Sequence, residues 1–200
     1  MANKVQTALN KFDDYNENDP NIFVWHHASY PQELFLADKL YDWVNKLAPT
    51  RSTALTLASK SQHIGRWEIP RSSFAMDKNG YLNWRKELAL HHASTTRDIL
   101  VNLDFSDELI SQVEQIILKK KIKGNPDVQT MENALCLVFL EFQYEKFYPK
   151  HEEKIVNILK KSLLKMDKVG HKFALQLPYS ETGLKYIESA LSELTKKNDR

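Results

Sequence analysis

Apolar residues recur at helical spacing along almost the whole chain. Leu36, Leu40, Trp43, Val44 and Leu47 make one such stripe, and Leu109, Ile110, Val113, Ile116 and Ile117 another. Recurrence at i, i+3, i+4 and i+7 gives a helix one face to bury. Alternating β-branched runs are rare and only 5 glycines occur in 200 residues, so strand and hairpin signals are weak. The pattern predicts an all-α protein, a single globular helical domain of about eight helices, occupying residues 1–200.

Local signals set the expected boundaries. A short helix is expected over about 5–14, then a polar loop from Asn16 to His27 that holds Pro20. Ser29-Tyr30-Pro31 opens a second helix with Pro31 at an early position and Glu33 in the first turn, ending before Pro49. Ser52 caps a third, which runs to about Ile64 and is closed by Gly65. A loop over about 66–78 ends in an Asn79-Gly80 turn, and a long helix covers about 80–101. Ser106 caps the next helix, which ends in Lys119-Lys120-Lys121, and Gly124-Asn125-Pro126 breaks the chain. The most apolar helix is expected over about 128–147, with Met131, Leu135, Val138, Phe139 and Phe142. Helices near about 151–166, 170–177 and 181–196 follow, with Lys197 to Arg200 frayed.

Composition bounds the function classes. A formal charge of +2 gives no global drive toward nucleic acid or an acidic membrane, so any basic patch is local. The single cysteine, Cys136, excludes an internal disulfide and fits a reducing compartment; in an apolar helix it reads as an inert core residue. No apolar run approaches the roughly 18 residues of a membrane span, and the opening Met-Ala-Asn-Lys-Val-Gln lacks a signal-peptide core. The expectation is a soluble cytoplasmic protein with no membrane partner.

The loop Gln62-His63-Ile64-Gly65-Arg66-Trp67-Glu68-Ile69-Pro70-Arg71-Ser72-Ser73 gathers a histidine, two arginines, a tryptophan and a glutamate. Arginine makes planar, bidentate contacts to phosphate and carboxylate that lysine does not. Ordering a loop costs entropy, so one rich in such groups reads as a site. Tyr81, Arg85, Leu88 and His92 share one stripe of the long helix, so His92 faces inward and His91 toward solvent. His63, in the last turn of its helix, is either a packed or capping histidine or a metal ligand or general base. Glu132-Asn133, at the start of the most apolar helix, is either a dipole-stabilised first turn or a ligand pair, and Glu33 carries the same two readings. No P-loop, GxGxxG, CxxC or HExxH motif occurs.

Gln62-His63-Ile64 with Arg66-Trp67, Ile69-Pro70-Arg71-Ser72, then Gly80-Tyr81-Leu82, Trp84-Arg85, Glu87-Leu88 and His92-Ala93 resembles the family known as DUF4202, a domain of unknown function. Asn16, Asp19-Pro20, Pro31, Glu33-Leu34, Asp127-Val128-Gln129-Thr130 and Cys136 to Glu141 extend the resemblance over roughly residues 8–190. The layout of that family is similar to HD-domain phosphohydrolases, all-helical and metal-dependent. This implies an HD-domain-like core in which the His-Asp pair reads Gln62-His63, the first histidine falls at Glu33 and the late aspartate at Asn133.

The resemblance implies a divergent metal-dependent phosphohydrolase acting on a small phosphorylated compound such as a nucleotide. His63 and Glu132 would be catalytic. A divalent metal ion of unspecified identity would lie among His63, His92, Glu132, Asn133 and Glu33, and Arg66, Trp67, Arg71, Tyr81 and Arg85 would bind substrate. The alternative is a non-catalytic helical module that uses the Arg66, Arg71 and Arg85 cluster to bind an anionic ligand, RNA or a protein partner. A third reading is structural: these arginines pin the loop to Glu68, Glu87 or Glu132.

Overall fold

Ten α-helices carry the described chain: α1 (Ala2–Asn16), α2 (Gln32–Leu47), α3 (Thr53–Ser61), α4 (Lys78–Asn102), α5 (Asp107–Ile117), α6 (Pro126–Val138), α7 (Tyr144–Phe147), α8 (Ile155–Leu163), α9 (Lys168–Ala174) and α10 (Glu181–Asn198). The computed structural model describes residues 2–120 and 124–198, with side chains as far as Leu194. The protein is all-α, and among the described residues its one sheet is a hairpin, β1 (Ile22–Trp25) and β2 (Ala28–Pro31). No described helix is long and apolar enough to cross a membrane.

The chain divides into two compact units, Met1–Val128 and Gln129–Arg200. In the first, α3 packs on α1, α2 and α5, and α4 packs on α1 and α5. Leu55, Leu57, Ala58, Val44, Phe12, Leu100 and Val113 are fully buried there. Removing such apolar surface from water supplies most of the favourable free energy of a helical core. Lys60 is buried in this unit between Asp13 (2.6 Å) and Asp38, so its charge is paired on both sides. In the second unit α8 packs along α10, and Ile155, Leu159 and Leu163 are buried there with Ile187 and Ala190.

The helical expectations meet the structure with local differences. Ser52 and Ser106 cap α3 and α5 by accepting from Leu55 and Leu109 N–H. The expected loop and helix start across 16–31 instead hold the hairpin, and α2 begins one residue after Pro31. Phe23 stacks on Phe35 at 4.7 Å, with Tyr30 and Trp25 against the same ring. This packing stabilises a strand pair whose turn lacks the usual Asn-Gly signal: His26 and His27 both take positive φ, 46° and 68°, as the favoured two-residue hairpin turn requires.

Gly80 lies inside α4 rather than in a turn. Asp77 caps that helix by accepting from Gly80 N–H at 2.7 Å, and a Cβ at Gly80 would come within 2.0 Å of Ala75 O. α5 stops at Ile117 rather than in the lysine run, because Lys119 adopts φ 55° and Lys120 N–H reaches back to Gln115 O at 2.9 Å. That is a left-handed helix end built on a lysine where glycine would be less strained. Lys121 lies outside the described residues, as do Asp199 and Arg200; Lys197 and Asn198 are helical within α10. The expected helix over 128–147 is α6, a π-helical turn at Phe139–Gln143, and α7. Pro126 starts α6 at the first-turn position that proline favours, so Glu132 sits well inside the helix and Asp127 is its first-turn acid.

Candidate functional site

The first unit holds two neighbouring cavities that share Arg66 and Trp84 as walls. One, of about 290 Å³, is a cleft formed by the α3 end, α4 and the α5 end. The other, of about 320 Å³, is formed by Pro20-Asn21, the start of α2, loop residues 66–71 and Trp84. The loop is held to α4 because the Trp84 indole N–H donates to Ile69 O at 2.9 Å. Arg66 lies over the Trp84 ring, 5.2 Å from its centre. Gly65 turns the chain into the loop with φ +66°, and a Cβ there would meet His91 Nε2 at 2.8 Å.

Arg66, Arg85, Lys86 and Lys119 line the cleft, and among the described residues no carboxylate does. Arg85 rests beside Tyr81, 5.9 Å from the ring centre. At the same wall, His63 and His92 lie with ring centres 5.7 Å apart. His92 is buried, and its Nδ1–H donates to Ile64 O at 2.7 Å, leaving Nε2 as an acceptor without a hydrogen-bond partner. Burial, with help from Arg66 and His91, lowers its pKa to about 3 against the bond to Ile64. His63 is also held well below the usual histidine range, first by desolvation and then by Arg66, His92, Lys119 and Arg85. Both imidazoles are therefore neutral at pH 7, and the positive charge of the cleft is carried by arginine and lysine.

Glu33 faces the second cavity. Asp19 positions it by accepting Glu33 N–H at 2.9 Å, which supplies the cap that Pro31 cannot give α2. The Glu33 side chain is 3% exposed; Oε1 is 3.7 Å from Arg66 Nε, and Oε2 is 3.9 Å from His63 Nδ1 with no hydrogen-bond partner. Arg66, the Gln32 amide and the helix N-terminus favour the carboxylate. Burial outweighs the first two and, with Asp19, raises the pKa to about 7. A carboxyl near its titration point beside a neutral imidazole, that of His63, can hold or give up a proton near neutral pH.

The residues singled out in the sequence fall in different places. His63, His92, Arg66, Tyr81 and Arg85 line the cleft, while Glu33, Trp67 and Arg71 join Arg66 at the second cavity. Arg71 also donates to the carbonyls of Phe74 (3.0 Å), Ala75 (2.7 Å) and Asp77 (3.3 Å), so it braces the loop. Neither Arg66 nor Arg71 pairs with the expected loop partners: Arg66 lies nearest Glu33, and Glu68 instead accepts from Tyr15 Oη at 2.7 Å and lies 3.0 Å from His91 Nε2. His91, expected in solvent, is therefore half-buried against Glu68. Glu132 and Asn133 are buried in the second unit, where Asn133 Nδ2 donates to Asp167 Oδ1 at 2.9 Å and Asn133 Oδ1 accepts Asp167 N–H at 3.1 Å. Among the described residues, no three His, Cys, Asp or Glu side chains gather as a metal ion would need.

Sequence reading missed Trp84, Gln62 and Lys86 as wall residues. Trp84 was within reach, because Tyr81, Trp84, Arg85 and Leu88 follow helical i, i+3, i+4, i+7 spacing. Lys119 belongs to a lysine run that reads as either a solvated helix end or an anion holder, and in the structure it lies at the cleft on a left-handed backbone. No curated protein and no solved structure matches the chain. Residues 6–187 match the family described as a domain of unknown function (DUF4202), and with nearly the whole chain covered the protein belongs to that family.

Proposed function

We propose that the first unit binds a small phosphorylated molecule, with its phosphate in the cationic cleft. The observation that carries this reading is the lining: among the described residues, four cationic side chains, two neutral histidines, two aromatic rings and no carboxylate around about 290 Å³. A phosphate there meets Arg66, Arg85, Lys86 and Lys119, and guanidinium groups offer paired donors to its oxygens; Glu33 approaches Arg66 only from the second cavity. The cleft suits a compact ligand, since ligand pockets run from roughly 300 to 1,000 Å³. Its charge is local, which favours a small anion over an extended RNA backbone.

A second reading extends binding to hydrolysis, as in HD-domain phosphohydrolases. It is favoured by one observation: His92 Nε2, a buried and deprotonated acceptor without a hydrogen-bond partner, beside His63. Neutral imidazole is the form that binds metal. Of the expected ligands the first unit holds His63, His92 and Glu33, and among the described residues these do not gather as three ligands of one metal ion would. When bound, a divalent cation would polarise a phosphoryl oxygen. The protein residues would orient the ester through Arg66 and Arg85, and His63, if left off the metal, would accept the proton of the attacking water.

Thermal melting of the full chain with AMP or pyrophosphate, with and without manganese and with EDTA, tests both readings. Binding predicts a rise in Tm that EDTA leaves in place and Arg85→Gln reduces. Hydrolysis predicts phosphate release that needs the metal and is lost in His63→Ala. No Tm rise with either anion at millimolar concentration would overturn the binding reading.

A further inference from the structure

The second cavity has a composition unlike the cleft it adjoins. Its walls include Trp67, Trp84, Ile69 and Pro70, which are flat or apolar, and a buried carboxylate, Glu33. Buried polar atoms are nearly always hydrogen-bonded, and an exception needs an explanation. Glu33 Oε2 is such an exception: the side chain is 3% exposed and this oxygen has no hydrogen-bond partner. Arg66 does not resolve it, because its Nε stands 3.7 Å from the other oxygen, beyond hydrogen-bond range. For the carboxylate form the missing partner is a donor, and the surrounding walls favour a planar ring to carry it. Indole faces stack on heteroaromatic rings at low cost in specificity.

The two cavities share Arg66 and Trp84. One molecule with a phosphate at one end and a planar N–H-bearing ring at the other would occupy both. We propose that the second cavity is the base subsite of a purine nucleotide, with Glu33 accepting N–H donors from the base and so selecting guanine over adenine. Guanine presents an adjacent ring N–H and amino N–H on one edge, which a single carboxylate accepts together. Adenine presents a ring nitrogen acceptor there, facing the carboxylate oxygen lone pairs. Each cavity alone lies near the lower limit for a ligand site, whereas the pair has room for a mononucleotide. The inference rests on the reading of the cleft as a phosphate site.

Titration calorimetry on the full chain with guanosine monophosphate, adenosine monophosphate, guanosine and pyrophosphate decides the matter, with Glu33→Gln and Trp67→Ala as variants. The expected result is a preference for guanosine monophosphate over adenosine monophosphate of at least about tenfold. Guanosine binding should be lost in Glu33→Gln and weakened in Trp67→Ala. Pyrophosphate should still bind both variants, no more weakly than the parent and in Glu33→Gln somewhat more tightly, because the carboxylate beside Arg66 is gone; that also reports that they are folded. Equal affinity for the two nucleotides, or guanosine binding that survives Glu33→Gln, would overturn the base subsite and leave the phosphate site standing. Guanosine binding lost in Glu33→Gln while pyrophosphate fails to bind the parent protein would overturn the phosphate reading instead. Loss of pyrophosphate binding in Glu33→Gln would place Glu33 in the fold and overturn the subsite, and no binding of any probe would overturn both.

Discussion

Both units bury polar side chains, but they treat them differently. In the second unit, Asn133 is satisfied at both ends: its carbonyl oxygen accepts from Gln129 and from Asp167 N–H, and its amide donates to Asp167. The same aspartate caps α9 through Val169 and Gly170 N–H. In the first unit, Glu33 Oε2, Gln62 Oε1 and His92 Nε2 are buried without hydrogen-bond partners around the two cavities. A satisfied buried network fixes a fold, whereas open buried acceptors raise the free energy of the empty protein. The contrast separates polar groups that build structure from polar groups arranged for a ligand.

The sharpest break in that contrast is opposite signs on mutation. Asn133→Ala removes three hydrogen bonds and orphans groups of Asp167 and Gln129, so it should destabilise by about 2–4 kcal/mol. Denaturant unfolding checks it, with nucleotide binding by the first unit unchanged in the folded protein. A loss below about 1 kcal/mol would mean that the network is not structural.

Glu33→Gln should instead stabilise, and only at higher pH. The folded pKa of Glu33, about 7, lies above its ordinary value of 4.5. The protonated carboxyl therefore contributes stability that is complete below pH 4.5 and lost as pH rises through 7. The neutral variant escapes that loss and should gain on the order of 3 kcal/mol relative to the parent between pH 4 and 8. His63 and His92 act in the other direction, because their folded pKa values are depressed. Their stability is present above about 6.5 and lost on acidification. They titrate in both proteins, so the difference between the two isolates Glu33. A pH-independent difference would place Glu33 outside the open set.

Gly65→Ala gives a smaller effect and tests the backbone that aims the loop. Its φ of +66° and the 2.8 Å approach to His91 Nε2 both oppose a Cβ, and about 1–2 kcal/mol of destabilisation is expected. An unfolding curve equal to the parent's would show that the turn tolerates a side chain.

Much of this fold was legible because helix periodicity and capping are local signals. Ser52, Ser106 and the apolar stripes of α2 and α5 needed no tertiary information. The hairpin was not legible: Phe23, Trp25 and Tyr30 pair across a His-His turn, and their reward is the Phe35 ring on α2. Gly80 read as a turn because sequence cannot show that Ala75 O occupies the place of its Cβ. For the site, the run from Gln62 to Arg71 announced itself by its arginines and tryptophan. The grouping of Glu33 with Arg66, and of Arg85 with Lys119, depends on tertiary approach between separate elements. Arg71 shows the converse. Residue type marked it as a phosphate clamp, and three backbone carbonyls accept its N–H groups in the structure.

Arg85→Gln should have the smallest effect on the fold and separates the two kinds of polar group most cleanly. Arg85 is exposed, and its one described contact is the Tyr81 ring at 5.9 Å. Removing its charge orphans no buried partner, so stability should stay within about 0.5 kcal/mol of the parent. Repulsion among Arg66, Lys86 and Lys119 falls slightly, which favours the folded state if anything. Pyrophosphate binding should nevertheless weaken by about tenfold or more, since a charge-assisted bidentate contact is lost. Its salt dependence should become shallower, with one fewer cation facing the anion. Unchanged stability with unchanged binding would remove Arg85 from the site and leave Arg66 as the cation on which the cleft depends; a large loss of stability would make Arg85 a member of the structural set, alongside Lys60 with its two aspartates.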